Sequence, residues 1–177
     1  MHNKNKKVVI IIAFTDFKDE EYFIPKEILE ESGIKVVTAS NSKGIARSVA
    51  KKETKVDICL DELNVADYDG IVFIGGPGCV ENLDNQTSYQ IAKEAIKQDK
   101  ILAAICISPI ILAKAGVLKE KKATVWSSPV DKSPIEILQN NKAIYQDKDV
   151  VVDGRIITAC GPEAAEEFGK AIVESLK

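Results

Sequence analysis

The strongest constraint in this sequence is an unbroken apolar run, Val8–Phe14, followed directly by apolar residues at helical spacing. A strand that is apolar at every position has no face to give to water, so both faces must be covered. Covering them with helices requires strand and helix to alternate along the chain. Phe23, Ile24, Ile28 and Leu29 mark a helix from Asp19 to Ser32, stopped by Gly33, and Ile34–Ala39 reads as the next strand. Pro25 falls inside this helix, where it either marks the true first turn or kinks it. Gly70–Ile74 and Ile101–Ile105 read as further strands, each followed by a helix, Thr87–Gln98 and Ser108–Ala115. At the far end, Pro162–Leu176 turns Ala165, Phe168, Ala171, Ile172 and Leu176 inward and its acidic residues outward.

The remaining segments are less regular. Ser48–Leu60 reads as an extended hairpin, Ala123–Trp126 as a strand and Pro134–Gln139 as a short helix. Val150–Thr158 reads as a hairpin turning at Asp153-Gly154, a pair suited to a type I′ turn. The whole pattern predicts an α/β fold with a mostly parallel sheet and helices on both faces. Residues 1–177 read as one domain, with 1–6 expected to be a disordered tail.

Charge and composition narrow the function. With 24 basic and 27 acidic residues the net charge is −3, and the only arginines are Arg47 and Arg155. A nucleic-acid partner is therefore not expected, since a basic face must replace the counterions. No apolar run approaches the roughly 20 residues of a membrane helix, and no cleavage site follows a signal-like stretch, so a cytoplasmic protein without a membrane partner is expected. The four cysteines, Cys59, Cys79, Cys106 and Cys160, form no CxxC, and there is one histidine, His2. No metal site is expected from that set, and reduced thiols are the default.

In a sheet of this kind, ligands sit beyond the carboxyl ends of the strands. Three segments leave strands there with unusual chemistry: Thr15–Glu21, Gly75–Gly78 and Cys106–Pro109. Cys106 is flanked two residues away by Ala104 and Ser108, the small-x-Cys-x-small pattern of a nucleophile elbow. The backbone donors of Cys106 and Ile107 would lie at a helix N-terminus, which favours thiolate. Pro109 suits the first turn of that helix. A buried core cysteine fits the local pattern equally well. Gly75-Gly76-Pro77-Gly78 can bring a backbone N–H to the same edge, pairing Gly76 with Ile107 as an oxyanion hole, or can serve simply as a tight strand exit. It lacks the GK[ST] of a phosphate loop.

Taken together and in order, these segments resemble a known family. Phe17-Lys18-Asp19-Glu20-Glu21, Ile24-Pro25, Gly33-Ile34-Lys35-Val36, Gly75-Gly76 with Asn82-Leu83, Ala103-Ala104-Ile105-Cys106-x-x-Pro109 and Ile157-Thr158-x-x-Gly161-Pro162 are similar to the ThiJ/PfpI superfamily, of the DJ-one or Parkinsonism-associated deglycase type. The likeness covers nearly the whole chain. It implies a flavodoxin-like three-layer sandwich related to class I glutamine amidotransferases, usually a homodimer, with a reactive cysteine at Cys106 and a facing carboxylate at Glu21. It also implies glyoxalase III-like or deglycase-like activity on small aldehydes such as methylglyoxal, without a cofactor, or a redox-sensing or chaperone-like role for an oxidisable Cys106. A protonated Glu21 would stabilise the thiolate, lowering the pKa of Cys106 while its own rises. Asp19 and Glu20 read as first-turn acids that complement a helix dipole.

The chain departs from the family pattern in three places. Ile107, and Trp126 or a neighbour in Val125-Trp126-Ser127, occupy positions where many relatives carry histidine, and His2 lies on the tail. The absence of a Cys–His dyad argues against amidase and protease roles, which need a base for the leaving group. Trp126 reads as an apolar pocket wall that suits a small aldehyde. Cys160 stands where many relatives carry arginine, and reads as a buried thiol at a strand end or a partner for an oxidised Cys106. Cys79, on the glycine turn, reads as exposed but unactivated.

Overall fold

A computed structural model describes residues 5–177. The first strand, β1 (Lys7–Ile12), alternates its apolar side chains between two cores. Val9 and Ile11 enter one, and Val8, Ile10 and Ile12 enter the other. All five are fully buried, which accounts for the unbroken run. A short strand β2 (Thr15–Phe17) leads into α1 (Asp19–Glu31). Pro25 lies inside α1, where it has no N–H to offer the carbonyl of Glu21. The chain returns through β3 (Lys35–Ser40) and makes a hairpin of β4 (Gly44–Ser48) and β5 (Glu53–Val56). The expected Ser48–Leu60 hairpin is thus displaced toward the N-terminus, and β6 (Ile58–Cys59) instead joins the edge of the main sheet.

The middle of the chain holds β7 (Gly70–Phe73), α2 (Pro77–Asn82), α3 (Gln86–Lys97), β8 (Ile101–Ile105) and α4 (Pro109–Lys114). After it come β9 (Lys122–Ala123), α5 (Ser133–Asn140), β10 (Ile144–Tyr145), β11 (Val150–Asp153), β12 (Ile156–Ala159) and α6 (Ala165–Ser175). The expected strand Ala123–Trp126 shrinks to β9 because its later amides go elsewhere. Thr124 N–H donates to the Thr158 hydroxyl and Trp126 N–H to the Cys106 carbonyl. The β11–β12 turn also differs from the type I′ expectation. Asp153 pairs with Ile156, so Gly154 and Arg155 are the central residues, and of these only Gly154 has positive φ, +61°. That is the II′ arrangement, with glycine in the first central place.

The seven-stranded main sheet runs β11-β12-β8-β7-β1-β3-β6, and all neighbours are parallel except β11 and β12. Helices α1 and α6 cover one face through Tyr22, Leu29, Phe168 and Ile172. Helices α2 to α5 cover the other through residues such as Cys79, Ile91, Ile111 and Leu138. This is the expected three-layer α/β sandwich. The chain leaves β1 toward β3 and later returns to β7 on its other side, so the strand order reverses at β1 and opens a crevice at its carboxyl end.

Part of the expected tail lies in residues 1–4, His2 included, outside the described residues. Lys6, also assigned to that tail, is held: its carbonyl accepts from Lys35 N–H and its ammonium pairs with Asp69 at 3.3 Å. Among the described residues no helix is long and apolar enough to cross a membrane.

Candidate active site

Three loops converge on the crevice. Cys106, the first residue after β8, has φ +64°, a left-handed conformation that costs a non-glycine residue roughly 1–2 kcal/mol. Its surroundings enforce that geometry. The Cys106 N–H donates to the Ala159 carbonyl at 2.9 Å, and the Cys106 carbonyl accepts from Trp126 N–H at 2.8 Å. The fully buried Ser108 hydroxyl accepts from Ile105 N–H at 2.9 Å, and Phe73 and Ile105 carbonyls lie within hydrogen-bonding reach of it. Ser108 is therefore more than the small residue an elbow requires. It ties the turn to the ends of two adjacent strands, a role that spacing alone did not reveal.

The cysteine turn accordingly departs from expectation in one respect. The Cys106 amide is spent on the sheet and does not face the helix N-terminus. Ile107 and Gly76, the latter from the glycine turn, line the same cavity as Cys106, and their amides act to lower its pKa.

That turn is fitted closely against the loop after β1. Lys18 N–H donates to the Gly75 carbonyl at 3.2 Å. A Cβ on Gly75 would stand 2.7 Å from the Cys106 Cβ and 2.8 Å from Glu21 Oε2. On Gly76, whose φ is +105°, it would stand 2.7 Å from the Asp16 carbonyl oxygen, and on Gly78 1.8 Å from that of Thr15. All three glycines are required by close approach. Cys79, expected to be exposed, is fully buried, and burial pushes its thiol far up, because α2 turns it into the core.

Glu21, in the first turn of α1, is fully buried. Its Oε2 accepts from Gly75 N–H at 2.9 Å, Oε1 has no hydrogen-bond partner among the described residues, and the carboxyl stands beside Cys106 across Gly75. Burial pushes this carboxyl up to about 7, against the opposing pull of the neighbouring Cys106 thiol, the Gly75 N–H and the Lys18 charge. The Cys106 thiol is also pushed up, by burial first and then by the charge of Glu21, while the Ile107 and Gly76 amides pull it down. The expected lowering of the thiol pKa therefore fails whenever Glu21 is ionised. Two acids in one apolar site cannot both lose their protons cheaply, so a thiolate forms here only while Glu21 keeps its own. Above about pH 7 the pair holds one proton between two groups.

The neighbouring acids do other work. Glu20 pairs loosely with Lys18. Asp19 is bound by the Ser48 hydroxyl and Ala50 N–H, which outweigh burial and hold its carboxyl below the usual range. Asp19 thus anchors the β4–β5 hairpin to α1.

Cys106, Glu21, Gly76, Ile107 and Trp126 all line one cavity of about 490 Å³. Lys18, Pro77, Val80 and Pro162, not singled out from sequence, complete its walls. The clue to Lys18 was a cation among acids at the sheet edge. Cys160 donates to Asp149 Oδ1 at 3.6 Å and is pushed up to about 11 by burial and then by that carboxylate. It is half-buried rather than buried. Among the described residues no three His, Cys, Asp or Glu side chains are grouped to hold a metal ion.

Residues 6–175 match the model of the DJ-1/PfpI family. The chain is similar to the uncharacterized protein MJ0967 of Methanocaldococcus jannaschii, at 41% identity over 98% of this chain and 84% of the relative. It is similar to the deglycase PfpI of Pyrococcus furiosus, at 30% identity over 96% and 99% of the two chains. To the glutathione-independent glyoxalase DJR-1.2 of Caenorhabditis elegans the identity is 27%, over 97% and 89%. Among solved structures, a ThiJ/PfpI domain protein from Brachyspira murdochii superposes with a TM-score of 0.90 at 30% identity, covering 96% of this chain and 95% of that one.

Proposed function

The chain belongs to the DJ-1/PfpI family, and from that premise we propose that it is a cysteine-dependent enzyme of the glyoxalase or deglycase type, acting on small reactive aldehydes such as methylglyoxal. The observation that carries this reading is the meeting of the Cys106 sulfur, the Glu21 carboxyl and two backbone N–H groups in one mainly apolar cavity. Relatives named deglycase and glutathione-independent glyoxalase support it.

In this reading the substrate is an α-oxoaldehyde, R–CO–CHO. The Cys106 thiolate attacks the aldehyde carbon, a C–S bond forms, and the aldehyde oxygen takes the proton held by Glu21. The Gly76 and Ile107 amides face the charge that develops there. Glu21, now a carboxylate, removes the hydrogen left on that carbon. The hydroxyl proton passes to the former ketone oxygen, and Glu21 returns its proton to the carbon beside it. The product is the thioester of a hydroxy acid, and water cleaves its C–S bond. The sum is R–CO–CHO plus water to R–CHOH–COOH. One carbon is oxidised and its neighbour reduced, so no external redox partner enters. Glu21 serves as both acid and base, for which a pKa near working pH is suited.

The test is methylglyoxal consumption by the purified protein against Cys106→Ala and Glu21→Ala. The reading requires turnover that falls at least a hundredfold in both variants. Turnover in the native protein no faster than in Cys106→Ala overturns it. The same donors could instead hold a sulfinate, so a gain of two oxygens confined to Cys106 under mild peroxide, without turnover, favours the redox-sensing role.

A further inference from the structure

Lys18 forms no bond and moves no proton in the chemistry above, yet among the described residues it is the one cation on the cavity wall, where most of its neighbours are apolar: Pro77, Val80, Ile107, Trp126 and Pro162. Three observations show that its position is set and its charge available. Its backbone is fixed, since its N–H donates to the Gly75 carbonyl and its carbonyl accepts from Tyr22 N–H. Its ammonium has one charge partner among the described residues, Glu20 at 3.6 Å, with both side chains partly exposed. Finally, Lys18 is the N-cap of α1 and makes no side-chain cap there. That place favours Ser, Thr, Asp or Asn, and a cation is disfavoured beside the positive end of a helix. A lysine here gives up local helix stability and adds its charge to the helix end at the rim of the cavity. Of the three carboxylates that follow it, Asp19 is turned away onto Ser48 and Ala50 and Glu21 is buried against Gly75 N–H, which leaves Glu20 as its one ion-pair partner among the described residues.

We propose that Lys18 makes this cavity an anion-accepting site, receiving the carboxylate or other small anionic group of a ligand whose reactive carbon lies at Cys106. The substrate class then narrows to carbonyl compounds that carry a negative charge, and aldehyde adducts of cationic amines are disfavoured. This narrowing rests on the proposed aldehyde chemistry, but the anion site itself does not.

Alkylation of Cys106 by iodoacetate, an anion, and by iodoacetamide, its neutral analogue, tests the site without turnover. In both reactions the sulfur forms a bond to carbon, the C–I bond breaks and iodide leaves with the electron pair. Both draw on the same thiolate, so the ratio of the two rates cancels the thiolate population. Rates are followed on the Cys106 peptide by mass spectrometry and referred to the ratio for 2-mercaptoethanol. The native ratio should exceed that reference. Lys18→Met should lower it roughly fivefold, as for one partly exposed charge. Lys18→Arg should retain it, and Glu20→Gln should raise it. A ratio unchanged in Lys18→Met, or one that falls as far in Lys18→Arg, overturns the proposal. A Lys18-dependent ratio in a protein that consumes neither methylglyoxal nor an α-oxoaldehyde bearing a carboxylate would leave the anion site standing and reject the aldehyde chemistry. Turnover with a Lys18-independent ratio would do the reverse.

Discussion

Glu21 and Cys106 compete for one proton, and the competition has measurable consequences at single residues. Burial raises the Glu21 carboxyl from its ordinary 4.5 to about 7. An acid whose folded pKa is raised binds more protons folded than unfolded between those two values, so stability falls as pH rises through that window. The difference corresponds to about 3 kcal/mol. Urea unfolding from pH 4.5 to 8 should show the native protein losing about that much relative to Glu21→Gln, which has no such titration. Iodoacetamide alkylation of Cys106 should rise with pH through about 7 as the pair loses its first proton. That step should vanish in Glu21→Gln. Ser108 acts on the same sulfur through the backbone. Ser108→Ala should cost about 1–3 kcal/mol in urea unfolding, because it leaves the Ile105 N–H buried without its partner. It should also slow Cys106 alkylation as the elbow relaxes.

At the scale of elements, the glycine turn between β7 and α2 works as a joint. It meets β2 closely enough that Gly78→Ala places a carbon 1.8 Å from the Thr15 carbonyl oxygen. Backbone must move, and the expected loss is about 3 kcal/mol, read from the urea midpoint. Gly154→Ala is the informative contrast. Nothing lies within 4 Å of the added carbon, and only the φ of +61° opposes it. That change should cost about 1 kcal/mol. The first glycine is required by space and the second by conformation. Both stand in short runs that read alike as turns, so the distinction between them is invisible along the chain.

For the molecule as a whole, the placement of Glu21 depends on how α1 seats against α6. Gly169 on α6 lets the two helices approach closely. A Cβ there would stand 3.1 Å from the Pro25 Cα and 3.0 Å from Ile28 Cδ1. Gly169→Val should push the helices apart, at a cost of about 1–3 kcal/mol in thermal or urea unfolding. It should also slow Cys106 alkylation by moving Glu21, although residue 169 is not among the residues that line the cavity.

The order of strands and helices was legible because burial on two faces writes a local record, apolar at every position from Val8 to Ile12 in β1 and at every third or fourth position in α3 and α6. The Cys106 elbow was legible for the same kind of reason, since its small neighbours answer a steric demand felt within two residues. Residues far apart in the chain had no such record. The buried carboxyl beside a thiol, the Lys18 side chain at the cavity wall, the Ser108 clamp and the burial of Cys79 arise only when three loops reach one crevice. Desolvation and Coulomb attraction depend on distance through space, and periodicity along a chain carries none of that distance.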